Sequence, residues 1–183
     1  MLLTNRDFET RSEEIEKKIK TTIDWAKEQD DPNPDEEIDD MFAIRTTPVF
    51  TNDESNSETM NFIEAINNGL DEAMEKDEDI FMRGEDIGIF EGAFKDTKGI
   101  SKKYPKNLIT SPISEAAIVG MSAGIALTGG KVSTEIMFGD FVTNAFDQII
   151  NGISKYHHMY GKKVSCPVML RMPMGGRRGY GPT

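Results

Sequence analysis

The sequence predicts an α/β fold, in which a parallel β-sheet is flanked by helices and preceded by a helical appendage. Two observations support this class. Short apolar stretches of strand length alternate with longer stretches of helical periodicity over residues 59–171, and helices of that length are the usual connections between parallel strands. The predicted strands are Ile80–Arg83, Leu108–Thr110, Val132–Phe138 and Pro167–Arg171, and the predicted helices are Thr59–Lys76, Ile100–Tyr104, the stretch after Ser111, and Phe141–Tyr160.

The N-terminal segment differs from the rest in charge. Residues 1–59 carry 17 acidic and 7 basic side chains, and the whole chain has a formal net charge of −11. Within this segment Ile15, Ile19 and Ile23 recur at helical spacing, which predicts a helix over residues 12–29 that packs on another surface. A Pro-containing acidic turn and a polar stretch follow, so we expect a domain boundary near residue 55.

The globular part begins with a helix and a strand. The spacing of Phe62, Ile66, Leu70 and Met74 predicts the inward stripe of the helix Thr59–Lys76. The next strand, Ile80–Arg83, leads into an acidic loop flanked by glycines.

Glu115 is the candidate functional acid at the centre of the sequence. The strand Leu108–Thr110 leads to Ser111 and Pro112, which suit the N-cap and first position of a helix. Glu115 then falls in the first helical turn, beyond the carboxyl end of a strand, where open α/β sheets bind ligands. The alternative is an acid favoured at this position by the helix dipole alone.

Four further features are weaker signals. Phe141 follows the third predicted strand and is placed at the same sheet edge as Glu115, although a core phenylalanine would have the same pattern. Glu135 lies among apolar strand residues and needs a partner that the sequence does not identify. His157 and His158 have no acid or nucleophile at useful spacing and are interpreted as structural or surface residues. The glycine-rich residues 175–179 lack the spacing of a P-loop and are interpreted as a surface loop.

The composition excludes several classes of protein. The sequence lacks a basic patch with interleaved aromatic residues, the pattern that would indicate nucleic-acid binding. The single Cys166 excludes an internal disulfide framework, and no Cys/His cluster has metal-ligand spacing. The longest nonpolar run, from Ala116, is too short to span a bilayer. The start of the sequence lacks the apolar core of a signal peptide and is too acidic for a transit peptide, so we expect a soluble, cytoplasmic protein.

Five motifs occur in order and together resemble one protein family. This run is similar to the β subunit of the thiamine-diphosphate-dependent 2-oxo acid dehydrogenases, the decarboxylating component of the pyruvate and branched-chain complexes. The resemblance covers about residues 60–183 and implies the pyrimidine-binding domain shared with transketolases. The motifs are Gly84-Glu85-Asp86-Ile87-Gly88, Ser111-Pro112-Ile113-Ser114-Glu115, Glu135 through Phe141, Ala145 through Asn151, and Arg171 through Gly176.

Residues 8–45 are similar to the C-terminal tail of the α subunit of the same family. The chain thus resembles a fragment of an α–β fusion, with an α-like tail (1–45), a linker (46–58) and a pyrimidine-binding domain (59–183) truncated at its C-terminal end. The family's substrate-side histidine motif would come just beyond Thr183. The magnesium and diphosphate motif belongs to the α portion, so the resemblance places no metal ligand in this chain.

The resemblance also implies roles for four residues. Glu115 matches the catalytic glutamate that hydrogen-bonds a ring nitrogen of the cofactor's aminopyrimidine and favours the imino tautomer. Phe141 matches the aromatic residue that stacks on the pyrimidine. Ile113 and Met137 match neighbouring wall residues, so these four positions are the expected thiamine diphosphate site.

The implied function is decarboxylation of a 2-oxo acid, pyruvate or a branched-chain acid, with transfer of the acyl group to a lipoyl acyltransferase. Expected partners are an α-like diphosphate-binding domain and a second copy in a homodimer or heterotetramer-like assembly. The isolated chain is expected to be inactive. Two alternatives are a transketolase-type transferase, disfavoured by the 145–151 motif and the α-like tail, and a non-catalytic interaction module that binds through helix 12–29.

Overall fold

A computed structural model describes residues 5–31, 33–35 and 58–175, and the chain divides into two compact units, residues 1–39 and 40–183. The described part of the first unit is dominated by one helix, α1 (Asn5–Lys27). Its large apolar side chains are exposed. The predicted helix is confirmed and starts seven residues earlier than expected. The exposed side chains are Phe8, Ile15, Ile19, Ile23 and Trp25.

The second unit contains a four-stranded sheet in which every neighbouring pair is parallel. The strand order is β2-β1-β3-β4. The chain therefore moves to one side of β1 for β2 and to the other side for β3, which makes a topological switch point between β1 and β3. The predicted fold class is confirmed. The strands are β1 (Ile80–Glu85), β2 (Leu108–Ser111), β3 (Lys131–Glu135) and β4 (Val168–Arg171).

Helix α2 (Phe62–Lys76) covers one face of the sheet. It begins with a capping box, in which the Asn61 side chain accepts from Glu64 N–H and the Glu64 carboxylate accepts from Asn61 N–H. The short helix α3 (Ile100–Lys103) packs into the same layer through Ile100. The buried core of this layer is formed by Leu70, Met74, Met82, Ile87, Ile100 and Leu108.

Helix α4 (Glu115–Leu127) covers the opposite face. Ser122 of α4 accepts a hydrogen bond from the Thr134 hydroxyl of β3 at 2.8 Å, which places Thr134 on the α4 face and its neighbours Ser133 and Glu135 on the α2 face. The core of this layer contains Ile118, Val119, Ile136 and Ala145, with Phe141, Ile149, Ile153, Leu170 and Met172 packed against it.

Two predicted helix boundaries are wrong. Ser111 is not an N-cap, because it pairs with Glu85 as the last residue of β2; Ser114 caps α4 instead. The predicted long helix 141–160 is three pieces: a 3₁₀ helix (Gly139–Ala145), a π helix (Gln148–Ile153) and α5 (Tyr156–Met159). The apolar residues packed on the core recur at every fourth position, wider than the α-helical 3.6, and a π turn accommodates that spacing.

Two sequence predictions fall on other parts of the chain. The linker 46–58 and the glycine-rich stretch 175–179 lie almost entirely outside the described residues. Among the helices that the structure does describe, none combines the length and the apolar character needed to cross a membrane.

Candidate active site

The four strands end at one edge of the sheet with polar side chains. Glu85, Ser111, Glu135 and Arg171 are the last residues of β1, β2, β3 and β4. Glu115 opens α4 just after the end of β2. Because the carboxyl ends of parallel strands share an edge, the sequence-predicted acid lies at the same edge of the sheet as these strand ends.

Glu115 is held in a buried position at the start of α4. The residue is 9% exposed, and Asn144 Nδ2 lies 3.4 Å from its Oε2. Asn144 belongs to the 3₁₀ helix that also carries Phe141. An acid that merely complements a helix dipole usually remains in water, so this degree of burial favours a functional carboxyl.

Glu85 is a second buried acid at this edge. It is 5% exposed, and its Oε2 is buried without a hydrogen-bond partner. Burial raises its pKa, and the charges of Glu115 and Asp86 raise the pKa further. Ser111, its register partner on β2, also has a buried hydroxyl without a partner. Buried polar atoms without a partner are uncommon in folded proteins, so these two mark the edge as a candidate functional site.

Sequence reasoning missed Glu85 because it ended the first strand at Arg83. The strand continues for two residues since Gly84 allows close approach to β3. A β-carbon at Gly84 would lie 3.1 Å from the carbonyl oxygen of Glu135. The sequence signal that could have identified Glu85 was the pair Gly84-Glu85, a small residue followed by an acid directly after the predicted strand.

Three phenylalanines connect the two loops that flank the switch point. The Phe94 ring, after β1, meets the Phe138 ring edge-on with centroids 6.3 Å apart. Phe138 meets Phe141 in the same manner at 5.9 Å. Phe141 is half-buried and packs against the α4 core. The predicted stacking residue is thus the inner member of an aromatic row.

The two predicted wall residues lie on connections at the same edge. Ile113 is in the turn between β2 and α4 and is 81% exposed, whereas Met137 is half-buried two residues after the end of β3. The structure thus places the four predicted residues on the two connections that follow β2 and β3. His157 lies apart on α5, where its Nδ1 is 2.9 Å from the carbonyl oxygen of Val164, as expected of a structural histidine.

The partner of Glu135 is Arg171, which the sequence did not identify. Arg171 Nη2 lies 2.7 Å from Glu135 Oε2 and Nη1 lies 2.5 Å from Asp96 Oδ2. Arg171 Nε donates to the Ser133 hydroxyl at 3.1 Å. Burial raises the pKa of Glu135 to about 7; the Arg171 charge opposes this rise and the Asp96 charge adds to it.

A groove of about 450 Å³ lies on the α2 face of the sheet, away from the acidic edge. Its lining includes Leu70, Ala73, Ile80, Val168 and Met169 and is almost wholly apolar. Lys131, its charged member, is paired with Asp77. Because the ionisable side chain in this lining is already engaged in an ion pair, the candidate site is the edge that holds Glu85 and Glu115.

Comparison with known proteins identifies the family of the domain. The family described as the transketolase pyrimidine-binding domain matches residues 58–183. The chain is 40% identical over 117 residues to the mitochondrial pyruvate dehydrogenase E1 component subunit beta of Bos taurus. It is 38% identical over 119 residues to subunit beta-2 of Oryza sativa and 36% identical over 113 residues to the subunit of Rickettsia conorii.

These alignments cover 61–64% of this chain and 32–35% of the relatives. The chain therefore spans about a third of the length of the curated relatives that it matches. The predicted cytoplasmic location is wrong by this comparison, because the subunits from Bos taurus and Oryza sativa are mitochondrial. The prediction rested on the first residues of the sequence, which carry no such information for a chain that matches part of its relatives.

The match over residues 58–183, the parallel sheet and the predicted motifs confirm one conclusion. The chain belongs to the transketolase pyrimidine-binding domain family, in the form found in the β subunits of thiamine-diphosphate-dependent 2-oxo acid dehydrogenases.

Proposed function

We propose that this chain supplies the pyrimidine-binding half of a thiamine-diphosphate-dependent 2-oxo acid dehydrogenase. The observation that carries the proposal is the buried Glu115 at the carboxyl edge of the sheet, next to the unpartnered polar atoms of Glu85 and Ser111. Pyruvate is the first candidate substrate, because the relatives are pyruvate dehydrogenase subunits. A branched-chain 2-oxo acid is the second.

The residues at this edge fit the pyrimidine end of the cofactor. An aminopyrimidine presents ring nitrogens and an amino group, which would satisfy the free oxygens of Glu85 and Ser111. The half-buried ring of Phe141 offers a flat stacking face. Ile113 and Met137 would supply apolar walls. Magnesium and the diphosphate would be held by an α-like partner domain, in keeping with the resemblance of residues 8–45 to an α-subunit tail.

Thiamine diphosphate, when bound, supplies a nucleophilic carbon that adds to the 2-oxo acid and accepts the electron pair left by departing carbon dioxide. Glu115 would hold a proton against the pyrimidine ring nitrogen. Asn144 donates to Glu115 Oε2, which leaves Oε1 to hold that proton. Phe141 would fix the plane of the ring, and the buried edge would exclude water from the proton-transfer path.

The acyl product would then pass to a lipoyl acyltransferase, the partner expected for this class of enzyme. The two alternatives make different forecasts. A transketolase-type transferase would use a sugar phosphate instead of a 2-oxo acid. A non-catalytic module would bind a partner through the exposed apolar side chains of α1 and would show no cofactor-dependent change.

The test uses this chain together with an α-like diphosphate-binding portion, an assembly that we call the full-length protein. This protein is titrated with thiamine diphosphate and magnesium. We expect saturable cofactor binding and release of carbon dioxide from pyruvate or from a branched-chain 2-oxo acid, measured in parallel. The 183-residue chain alone should release none. Absence of cofactor binding by the full-length protein would contradict the proposal, and activity on sugar phosphates alone would support the transketolase alternative.

A further inference from the structure

The loop between β1 and α3, residues 86–99, has a backbone that needs external support. Asp86, Glu91 and Lys95 are non-glycine residues with φ of 55°, 66° and 65°. Each such conformation costs about 1 kcal/mol or more, so contacts elsewhere must hold the loop in place. The loop also carries Phe94, the outer member of the aromatic row.

Asp96 makes the contact that joins this loop to the edge strand β4. Its Oδ2 lies 2.5 Å from Arg171 Nη1 at the end of β4, and both side chains are largely shielded from water. The Asp96 carbonyl also accepts from Asn67 Nδ2 of α2 at 2.9 Å. A charge-assisted contact in a shielded position is stronger than an exposed ion pair.

The loop is shaped around the Asp96 carboxylate. Gly92 has φ of 78°, and a β-carbon there would lie 2.4 Å from Asp96 Oδ1. Gly92 therefore provides the space in which the carboxylate sits. Beside Asp96, the Thr97 hydroxyl donates to the Ile87 carbonyl oxygen at 2.8 Å and closes the base of the loop. These contacts fix the chain directly next to Phe94.

Phe94 connects the loop to the candidate cofactor site through ring contacts. Its ring packs on Phe138, and Phe138 packs on Phe141. Asp96 touches none of the proposed cofactor-binding residues in the contacts described above, so any effect on them is indirect, and the loop that carries Phe94 provides a direct connection. A loop released from Arg171 would leave the outer face of Phe138 without its neighbour.

We propose that Asp96 is a positioning residue, which clamps the 86–99 loop on Arg171 and thereby holds the Phe94–Phe138–Phe141 row in the orientation that stacks on the cofactor pyrimidine. The proposal rests on the proposed function of this edge. It assigns a role in cofactor binding to a residue outside the expected site.

The test uses the full-length protein with its diphosphate-binding portion and measures the thiamine diphosphate dissociation constant by calorimetry. Asp96→Ala should raise this constant roughly three- to ten-fold, the range expected from a lost aromatic contact, while kcat at saturating cofactor stays unchanged. Asp96→Asn keeps an acceptor for Arg171, is expected to fold, and should give a smaller rise in the same direction. Asp77→Asn, which removes the ion pair with Lys131, is the matched control and should leave the constant unchanged.

A double-mutant cycle separates positioning from general stabilisation. If Asp96 acts through Phe94, the Asp96→Ala/Phe94→Ala double variant should bind the cofactor no more weakly than Phe94→Ala alone. Hydrogen exchange gives an independent readout: the amides of Gly92 and Lys98 should exchange faster in Asp96→Ala. A dissociation constant unchanged in both Asp96 variants, or additive effects in the cycle, would overturn the positioning role. If Phe141→Ala and Glu115→Gln also leave cofactor binding and turnover unchanged, the proposed function itself fails.

Discussion

Burial and the neighbouring carboxylate of Glu115 together raise the pKa of Glu85. The two acids lie at the same edge of the sheet, Glu85 at the end of β1 and Glu115 at the start of α4. One of them, Glu85, has an oxygen without a partner, whereas Glu115 accepts a long hydrogen bond from Asn144. The pair therefore gives the site two carboxyl groups in unequal surroundings, an arrangement suited to holding a proton.

Glu85→Gln should stabilise the isolated domain at neutral pH. A carboxyl whose pKa is raised in the folded state is destabilising when ionised, so its contribution to stability is greatest at acidic pH and falls as the pH rises through the folded pKa. Removing the charge should raise the free energy of unfolding at pH 7. Urea unfolding at several pH values measures this, with the exposed Glu78→Gln as control. A destabilised Glu85→Gln domain at neutral pH would show that the ionised carboxylate is stabilising.

Glu135 predicts a second pH dependence at a different place. Burial raises its pKa to about 7, although the charge of Arg171 opposes this rise. In the folded state Glu135 therefore keeps a proton that the unfolded chain releases near pH 4.3. Stability should therefore decrease between about pH 4.5 and 7 and level off above that range. Glu135→Gln should remove most of this slope.

Asp96→Asn provides the matched comparison for Glu135. The Asp96 charge raises the pKa of Glu135, so its removal should move the pH-dependent loss of stability to lower pH without abolishing it. Two-dimensional NMR of the Glu135 carboxyl carbon can follow this titration directly. A titration of Glu135 near the value for an unperturbed glutamate in the parent chain would contradict the buried arrangement.

The sequence was sufficient to place Glu115 because local information determines its position. A strand, a helix start and an acid in the first turn follow each other within eight residues, and hydrophobic periodicity defines both elements. Glu85 was missed for a different reason. Its strand extends beyond Arg83 because of pairing with β2 and close packing of Gly84 on β3, both of which are contacts between distant parts of the chain.

The same limit explains the other differences. Arg171 lies 36 residues after Glu135 in the sequence, and no local pattern connects a buried acid to an arginine on another strand. The predicted helix 141–160 is broken where the apolar side chains of the π turn fit against α4. The sequence shows that these side chains recur, but it does not show how they pack. The assignment of Ile113, Met137 and Phe141 to the cofactor stays a prediction.

Phe141→Ala should weaken cofactor binding in the full-length protein. The ring would offer one stacking face to the pyrimidine, and such contacts contribute about 0.5–1.5 kcal/mol beyond their buried area. We expect a higher dissociation constant for thiamine diphosphate and little change in turnover at saturation. Because Phe141 also packs against the α4 core, Ile149→Ala serves as the control: it removes core packing in the same cluster without removing the stacking face.

Helix α1 should be less protected from hydrogen exchange than α4. The apolar side chains of α1 are exposed, whereas α4 is packed in the core through residues such as Ile118 and Val119. Helices of this kind gain most of their stability from packing, so amides of residues 12–27 should exchange much faster than those of 116–127 in the 183-residue chain. Equal protection would contradict the interpretation of α1 as a tail that needs its α-like partner.

Glu115→Gln should impair turnover in the full-length protein while leaving the fold intact. The substitution keeps the shape of the side chain and its acceptor for Asn144, but it removes the carboxyl proton that would be held against the pyrimidine ring nitrogen. General acid–base contributions are of the order of 10²–10⁴ in rate, so kcat should fall by that factor at saturating cofactor. An acid that only complements the α4 dipole would contribute about 0.3–1 kcal/mol to stability and nothing to chemistry. Normal kcat with a slightly lower melting temperature would therefore identify Glu115 as a helix-end charge, and Glu78→Gln, with an exposed acid remote from the edge, sets the baseline for both measurements.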